Sequence, residues 1–335
     1  MEKLITTTHK VVEAIKEYAL SINASDNGIG DMTTLVNPTS ELELKNIVYW
    51  ERLIREELEN ALNNSAPPKW KQWLKPKRKL HWLDIISWNG YERESSLRSL
   101  SGGAPNAFFL VLLIRRLNDW VPQVRKSTRE VLPLIIKNTT PEYISEILSV
   151  VLLNWNSWGR IEEEDKQLLL RIINTEDLAI PLKFKLISSV SGPMPSLLSQ
   201  LGRTSILDTH LDDIANNSIQ PYVRAKAFRS LFEGRMTWIE GRKWQLIDKV
   251  YGERELIPII GERKIEVQTP FIELLNRSAA DRSAIVRQVS AEFVIRNIES
   301  LGNHSRFFAE KFAADKSNSV SEQGKFILKK LEEKP

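Results

Sequence analysis

Four histidines, His9, His81, His210 and His304, are the first residues whose types could do chemistry. His210 has the densest acidic surroundings, in the run LDTHLDDI, where a helix would set Asp213 about one turn away and Asp208 on another face. A metal site needs more convergent ligands than this, so a solvated loop or helix start is the plainer reading. Glu162, Glu163, Glu164 and Asp165 could suggest paired carboxylates, but consecutive residues fan out around a helix. A charged first turn accounts for them. No Walker A string, HExxH, nucleophile elbow or strand–glycine–helix fingerprint occurs, and Gly28, Gly30, Gly102 and Gly103 read as turn glycines. The 335 residues contain no cysteine, which removes disulfides, thiolate nucleophiles and thiolate metal sites. No catalytic residue, metal or cofactor is therefore assigned, and a non-enzymatic role is expected.

The segment KWKQWLKPKRKLHW is the most unusual local feature for binding chemistry. Lys69, Lys71, Lys75, Lys77, Arg78 and Lys79 alternate with Trp70, Trp73 and Trp82, with Trp88 slightly beyond. Basic groups beside aromatics suit phosphate neutralisation with base stacking. They equally suit an acidic protein, for which tryptophan and arginine are efficient anchors. Tryptophans packed at helix junctions with lysines reaching to water would look the same. Trp70, Trp73, Lys75, Lys77, Arg78, Lys79 and Trp82 are the candidate recognition residues. Net charge reinforces the focus: residues 1–66 carry −5, residues 67–136 carry +8, and the whole chain carries +4.

The elements that must position these groups are helical. Residues 3–22 show a 3.6-residue apolar period and lack the uninterrupted apolar stretch of a signal peptide. A polar loop follows. Ser40, with Glu43 three positions on, predicts a capping box opening a helix that runs to about Asn63. Pro67, Pro68 and Pro76 then interrupt the pattern. The expected organisation is an N-terminal helical unit or cap over 1–66, a basic Trp/Pro-rich connection over 67–81 and a repeat array over 82–335.

The array shows itself as a recurring string. NDWVPQVRKSTREVL sets Asp119 and Pro122 before Val124-Arg125, with the small Thr128 next. NSIQPYVRAKAFRSL repeats this with Val223, Arg224 and Ala227, and DRSAIVRQVSAEFVI with Asp281, Val286, Arg287 and Ser290. Weaker copies centre on Leu97-Arg98, Leu182-Lys183 and Val320. The markers fall at 97, 124, 182, 223, 286 and 320. The intervals of 58 and 63 look like pairs hiding a diverged copy, and a unit of 27–41 residues remains. Asp, Asn or Pro opens each helix, valine faces inward, and the small residue four positions on admits a neighbouring helix.

This Asp–x–x–Pro–x–Val–Arg–x–x–small pattern resembles HEAT repeats, armadillo-type helical arrays. The resemblance implies a ladder between Asp and Arg of neighbouring repeats, with Asp119/Arg125 matching fully, Asp281/Arg287 without the proline, and Arg224 without the aspartate. The expected fold is all-α, an irregular HEAT-like α-solenoid of paired antiparallel helices. The expected function is that of a cytoplasmic protein-binding solenoid (scaffold, adaptor or immunity-type inhibitor), with another protein as partner and no membrane. The alternative is a nucleic-acid-binding solenoid, similar in architecture and tryptophan content to HEAT-like DNA glycosylases, whose catalytic triplet maps to no local motif here.

Overall fold

The computed structural model describes residues 2–25, 30–64, 81–248 and 251–333. They form sixteen α-helices, several short 3₁₀ turns and one two-stranded sheet, in two compact units spanning 1–172 and 173–335. The boundary falls inside the stretch read from sequence as one array. No described helix is long and apolar enough to cross a membrane.

The first unit comprises α1 (Glu2–Ala24), α2 (Thr33–Ser40), α3 (Ile47–Asn64), α4 (Gly90–Ser99), α5 (Ala107–Arg115), α6 (Pro122–Lys137) and α7 (Pro141–Asn154). It also takes in most of α8 (Glu163–Ile173). Its centre is α5, whose residues Ala107 to Ile114 are all buried. A helix apolar on every side must be surrounded, and α2, α3, α6 and α7 all pack on it. Asn106 fixes its start: the side-chain oxygen accepts from the Phe109 amide at 3.1 Å, while its amide donates to Val36 O and Thr39 Oγ1 of α2, both at 2.8 Å.

Two sequence expectations are corrected here. The polar loop contains α2, with Pro38 inside it. Ser40 closes that helix rather than opening the next, its hydroxyl donating to Asn37 O at 2.7 Å, and α3 begins at Ile47 after a 3₁₀ turn. The short Asp31-to-Thr33 turn captures the α2 start instead: Asp31 Oδ1 accepts from the Thr33 amide and hydroxyl.

The second unit comprises α9 (Ala179–Ser188), α10 (Met194–Leu201), α11 (Leu211–Asn217), α12 (Pro221–Glu233), β1 (Arg235–Asp248), β2 (Glu253–Lys264), α13 (Phe271–Ala279), α14 (Ala284–Arg296), α15 (Asn303–Ala313) and α16 (Asn318–Glu332). Helices α10, α12, α14 and α16 pack one on the next, α9 packs on α11, and α11, α13 and α15 pack on α12, α14 and α16 respectively. The marker valines Val223, Val286 and Val320 are wholly buried, as is Val124 in the first unit. The small residues four positions on, Thr128, Ala227, Ser290 and Gly324, are buried too. Gly324 shows why size matters: a Cβ there would sit 2.2 Å from the Ala313 amide nitrogen of α15.

The sheet departs from an all-helical reading. β1 and β2 pair antiparallel from Arg235↔Lys264 to Asp248↔Glu253, a ribbon about 40 Å long at 3.3 Å per residue. Gly234 caps α12 in the left-handed conformation at φ 62° and turns the chain into it. The base is anchored. Arg263 donates to both oxygens of Asp208 at 2.8 Å, and Met236 is buried against Gly202. Beyond the base Ile239, Trp244, Leu246, Leu256 and Ile260 are exposed. The 63-residue interval between Val223 and Val286 thus holds this ribbon in place of the expected diverged repeat.

Candidate functional site

Arginine–aspartate pairs of the kind the repeat pattern implies occur in both units, on the expected arginines in the second and in a shifted register in the first. In the second unit Arg224 donates Nε and Nη2 to Asp281 at 2.7 and 2.8 Å, and Arg287 does the same to Asp315 at 2.6 and 2.7 Å. Each aspartate also accepts from the amide two residues on, Ser283 and Ser317, so one carboxylate caps its helix and receives the neighbouring arginine. Asp281 closes the chain by accepting Arg287 at its own carbonyl, 2.9 Å away. Lys183 of α9 pairs instead with Asp213 of α11 at 2.9 Å.

In the first unit the matching arginine is Arg93. It donates Nε and Nη2 to Asp119 at 2.9 and 2.8 Å, and its Nη1 to the Ser87 and Trp88 carbonyls. The weak copy read at Leu97-Arg98 therefore has its register four to five residues earlier. Arg98 itself is half-exposed and pairs with Glu94 and Glu130. Arg125 donates to the Asp119 carbonyl at 2.9 Å, and Arg129, one turn on, takes Asp165 through Nε at 2.6 Å. Asp165 is fully buried, so the acidic run at 162–165 opens α8 and also receives a neighbour's guanidinium. Hydrogen bonding to Asp165 raises the Arg129 pKa further above its ordinary value.

Around Asp119 the pairing widens into a pocket of about 540 Å³. Five segments build it. Helix α3 supplies Glu51 and Arg55 one turn apart. The turn before α4 supplies Ser87 and Trp88, and α4 supplies Arg93. The end of α5 and the following 3₁₀ turn supply Arg115, Arg116, Asn118, Asp119 and Trp120. The loop after α7 supplies Trp158 and Arg160.

Glu51 is 5 % exposed and gathers three guanidiniums: Arg55 at 2.8 Å, Arg115 at 3.1 Å, and Arg116. Arg116 also bridges to Asp119 at 3.2 Å, joining both carboxylates in one network. Burial pushes the Glu51 carboxyl up, but Arg116, Arg115 and Arg55 outweigh it and hold the group below the ordinary carboxylate range. Burial pulls the Arg55 guanidinium down, against the attraction of Glu51. Two indoles stand at the rim, Trp88 57 % and Trp120 67 % exposed. The Arg55 guanidinium lies 4.5 Å from the Trp88 ring centroid, and that of Arg93 5.8 Å from Trp120.

Four guanidiniums thus meet two carboxylates, and Arg160 adds a fifth cation. Arg116 Nε is buried without an acceptor among the described residues. Among the described residues Arg115 reaches an acceptor only through Nε, and the exposed Arg160 side chain reaches none. The place is electropositive, rigid and aromatic, but it holds no base poised on a nucleophile. Among the described residues no three His, Cys, Asp or Glu side chains come together as metal ligands.

No family model, no curated protein and no solved structure matches this chain.

The candidates read from sequence are scattered relative to this pocket. Trp70, Trp73, Lys75, Lys77, Arg78 and Lys79 lie outside the described residues. Trp82 does not reach the surface: it is buried edge-on against Phe109, ring centroids 6.1 Å apart, and serves the core. His210 ends a 3₁₀ turn, while its acidic neighbours are engaged elsewhere, Asp213 with Lys183 and Asp208 with Arg263. Glu51, Arg55, Arg93, Arg115, Arg116 and Trp120 escaped the sequence reading. The adjacent arginines closing the most apolar helix, followed at once by Asn118-Asp119-Trp120, were the available signal.

Proposed function

We propose that this chain is a HEAT-like helical-repeat solenoid of the cytoplasm that binds another protein, as a scaffold, adaptor or immunity-type inhibitor, and performs no reaction of its own. The pocket around Asp119 is its recognition centre. The observation that carries this reading is the pair of exposed indoles, Trp88 and Trp120, set over guanidiniums whose rotamers Glu51 and Asp119 have already fixed. Tryptophan and arginine dominate the energetics of protein interfaces, and a side chain already held in place loses little entropy on binding. The lysines and tryptophans of residues 67–81 add cationic and aromatic groups to the same chain by composition alone.

Affinity capture from native extract with the wild type and a Trp88→Ala/Trp120→Ala variant tests the proposal. A protein recovered in stoichiometric amount by the wild type and lost from the variant is expected. Recovery of the same protein by both would contradict it.

A second reading is favoured by the excess of guanidinium over carboxylate in the same pocket. Arginines and stackable indoles also hold nucleic acid. It predicts a salt-sensitive gel shift abolished by Arg115→Gln/Arg160→Gln, and the absence of any shift at low salt would exclude it.

A further inference from the structure

We infer that the pocket around Glu51 and Asp119 is a phosphate-monoester site, whose ligand supplies the negative charge that the pocket's own side chains lack. This rests on the pocket being a recognition centre and names what is recognised there. Among the described residues lining the pocket, Arg55, Arg93, Arg115 and Arg116 face two carboxylates, Glu51 and Asp119, leaving two positive charges in a half-open, partly buried space, with Arg160 at its edge. Uncompensated charge out of water is unfavourable, so the deficit marks the site for an anion. A carboxylate would neutralise half of it. A phosphate monoester, carrying about −1.5 to −2 at pH 7, neutralises nearly all of it.

The donor inventory agrees. Arg93 commits four of its five N–H groups to Asp119 and two carbonyls, and Arg55 commits Nε to the Ile86 carbonyl and Nη2 to Glu51. Among the described residues, donors without an acceptor include Arg116 Nε, which is buried, the terminal nitrogens of Arg115, and the Arg160 side chain. Guanidinium forks match tetrahedral oxyanions geometrically, and three with spare donors in one pocket suit several oxygens at once. Trp120 and Trp88 offer faces for the group that carries the phosphate.

Isothermal titration of the full chain with inorganic phosphate at low ionic strength is the test. The wild type binds, and Arg115→Gln/Arg160→Gln binds about tenfold more weakly or worse, as loss of charge-assisted donors requires. Glu51→Gln, which frees guanidiniums from a competing carboxylate, binds more tightly. Opposite signs in the two variants are not expected of residues that merely hold the fold together. If Glu51→Gln does not fold, the arginine pair on its own decides. Affinity falls between pH 7.5 and pH 5 as the phosphate becomes a monoanion. A phosphoserine peptide binding more tightly than inorganic phosphate identifies a protein carrier, and adenosine 5′-monophosphate doing so identifies a nucleotide; either supports the site. No heat with the wild type, equal affinity in the arginine variant, an affinity unchanged with pH, or no organic phosphate exceeding inorganic phosphate would overturn it. The titration needs no partner, so its failure leaves protein capture untouched, and a failed capture leaves the titration standing.

Discussion

Asp119 ties together three segments of the first unit, α4, the 3₁₀ turn after α5 and the start of α6. Its carboxylate accepts from Arg93, Arg116 and the Val121 amide, and its carbonyl from Arg125. Removing that charge leaves two buried guanidiniums facing a neutral amide. Asp119→Asn is therefore expected to destabilise by about 3–5 kcal/mol in urea unfolding, as broken buried pairs do, and a change below about 1 kcal/mol would show that solvent repairs the loss. Asp315 gives the corresponding pH dependence. Hydrogen bonding from Arg287 holds its carboxyl below the ordinary 3.8, burial opposing and the Ser317 amide assisting. A depressed folded pKa stabilises above the unfolded value, and the gain is lost as pH falls through the folded one. Stability followed from pH 6 downward should thus start to fall as the ordinary aspartate range is entered and keep falling below it, until the folded-state carboxyl is itself protonated. In Asp315→Asn, already weaker at neutral pH, the acid limb should be shallower.

Helices repeat the same device with different residues. Each marker valine is buried and the residue four positions on is small, so a neighbouring helix comes close; at Gly324 it comes close enough that a Cβ would meet the Ala313 and Phe312 backbones. Gly324→Ala should therefore cost about 1–3 kcal/mol through overpacking, read as a lowered unfolding midpoint. An unchanged midpoint would mean that α15 and α16 part freely. This much was legible in sequence, because burial periodicity and residue size are local properties. Which arginine meets which aspartate was not. Arg93 and Arg98 lie five apart on one helix, and only the position of α6 selects Arg93. The ribbon was missed because it interrupts a helical rhythm, so its length was absorbed into a missing repeat, although Trp238, Trp244, Leu246 and the Gly252 turn alternate in the manner of a hairpin. The pocket was missed for the same reason as the ladder: Glu51 and Arg116 are 65 positions apart in sequence.

Charge in the whole molecule is divided unevenly: the arginine-rich pocket lies in the first unit, while the second carries the same arginine–aspartate pairing plus an exposed apolar ribbon. Arg224→Gln, which breaks the buried Arg224–Asp281 pair of the second unit, should lower stability yet leave binding below the melting temperature unchanged; titration beside a thermal melt checks both. Loss of binding there in a folded variant would show that recognition is not confined to the first unit. The measurement that tests the central claim most directly is photo-crosslinking in native cells from a benzoylphenylalanine replacing Trp120, with one replacing Trp244 on the ribbon as comparison. Recognition at the Asp119 pocket predicts a discrete adduct from position 120 that Arg115→Gln/Arg160→Gln diminishes. An adduct from position 244 alone would contradict it and move the binding surface to the ribbon.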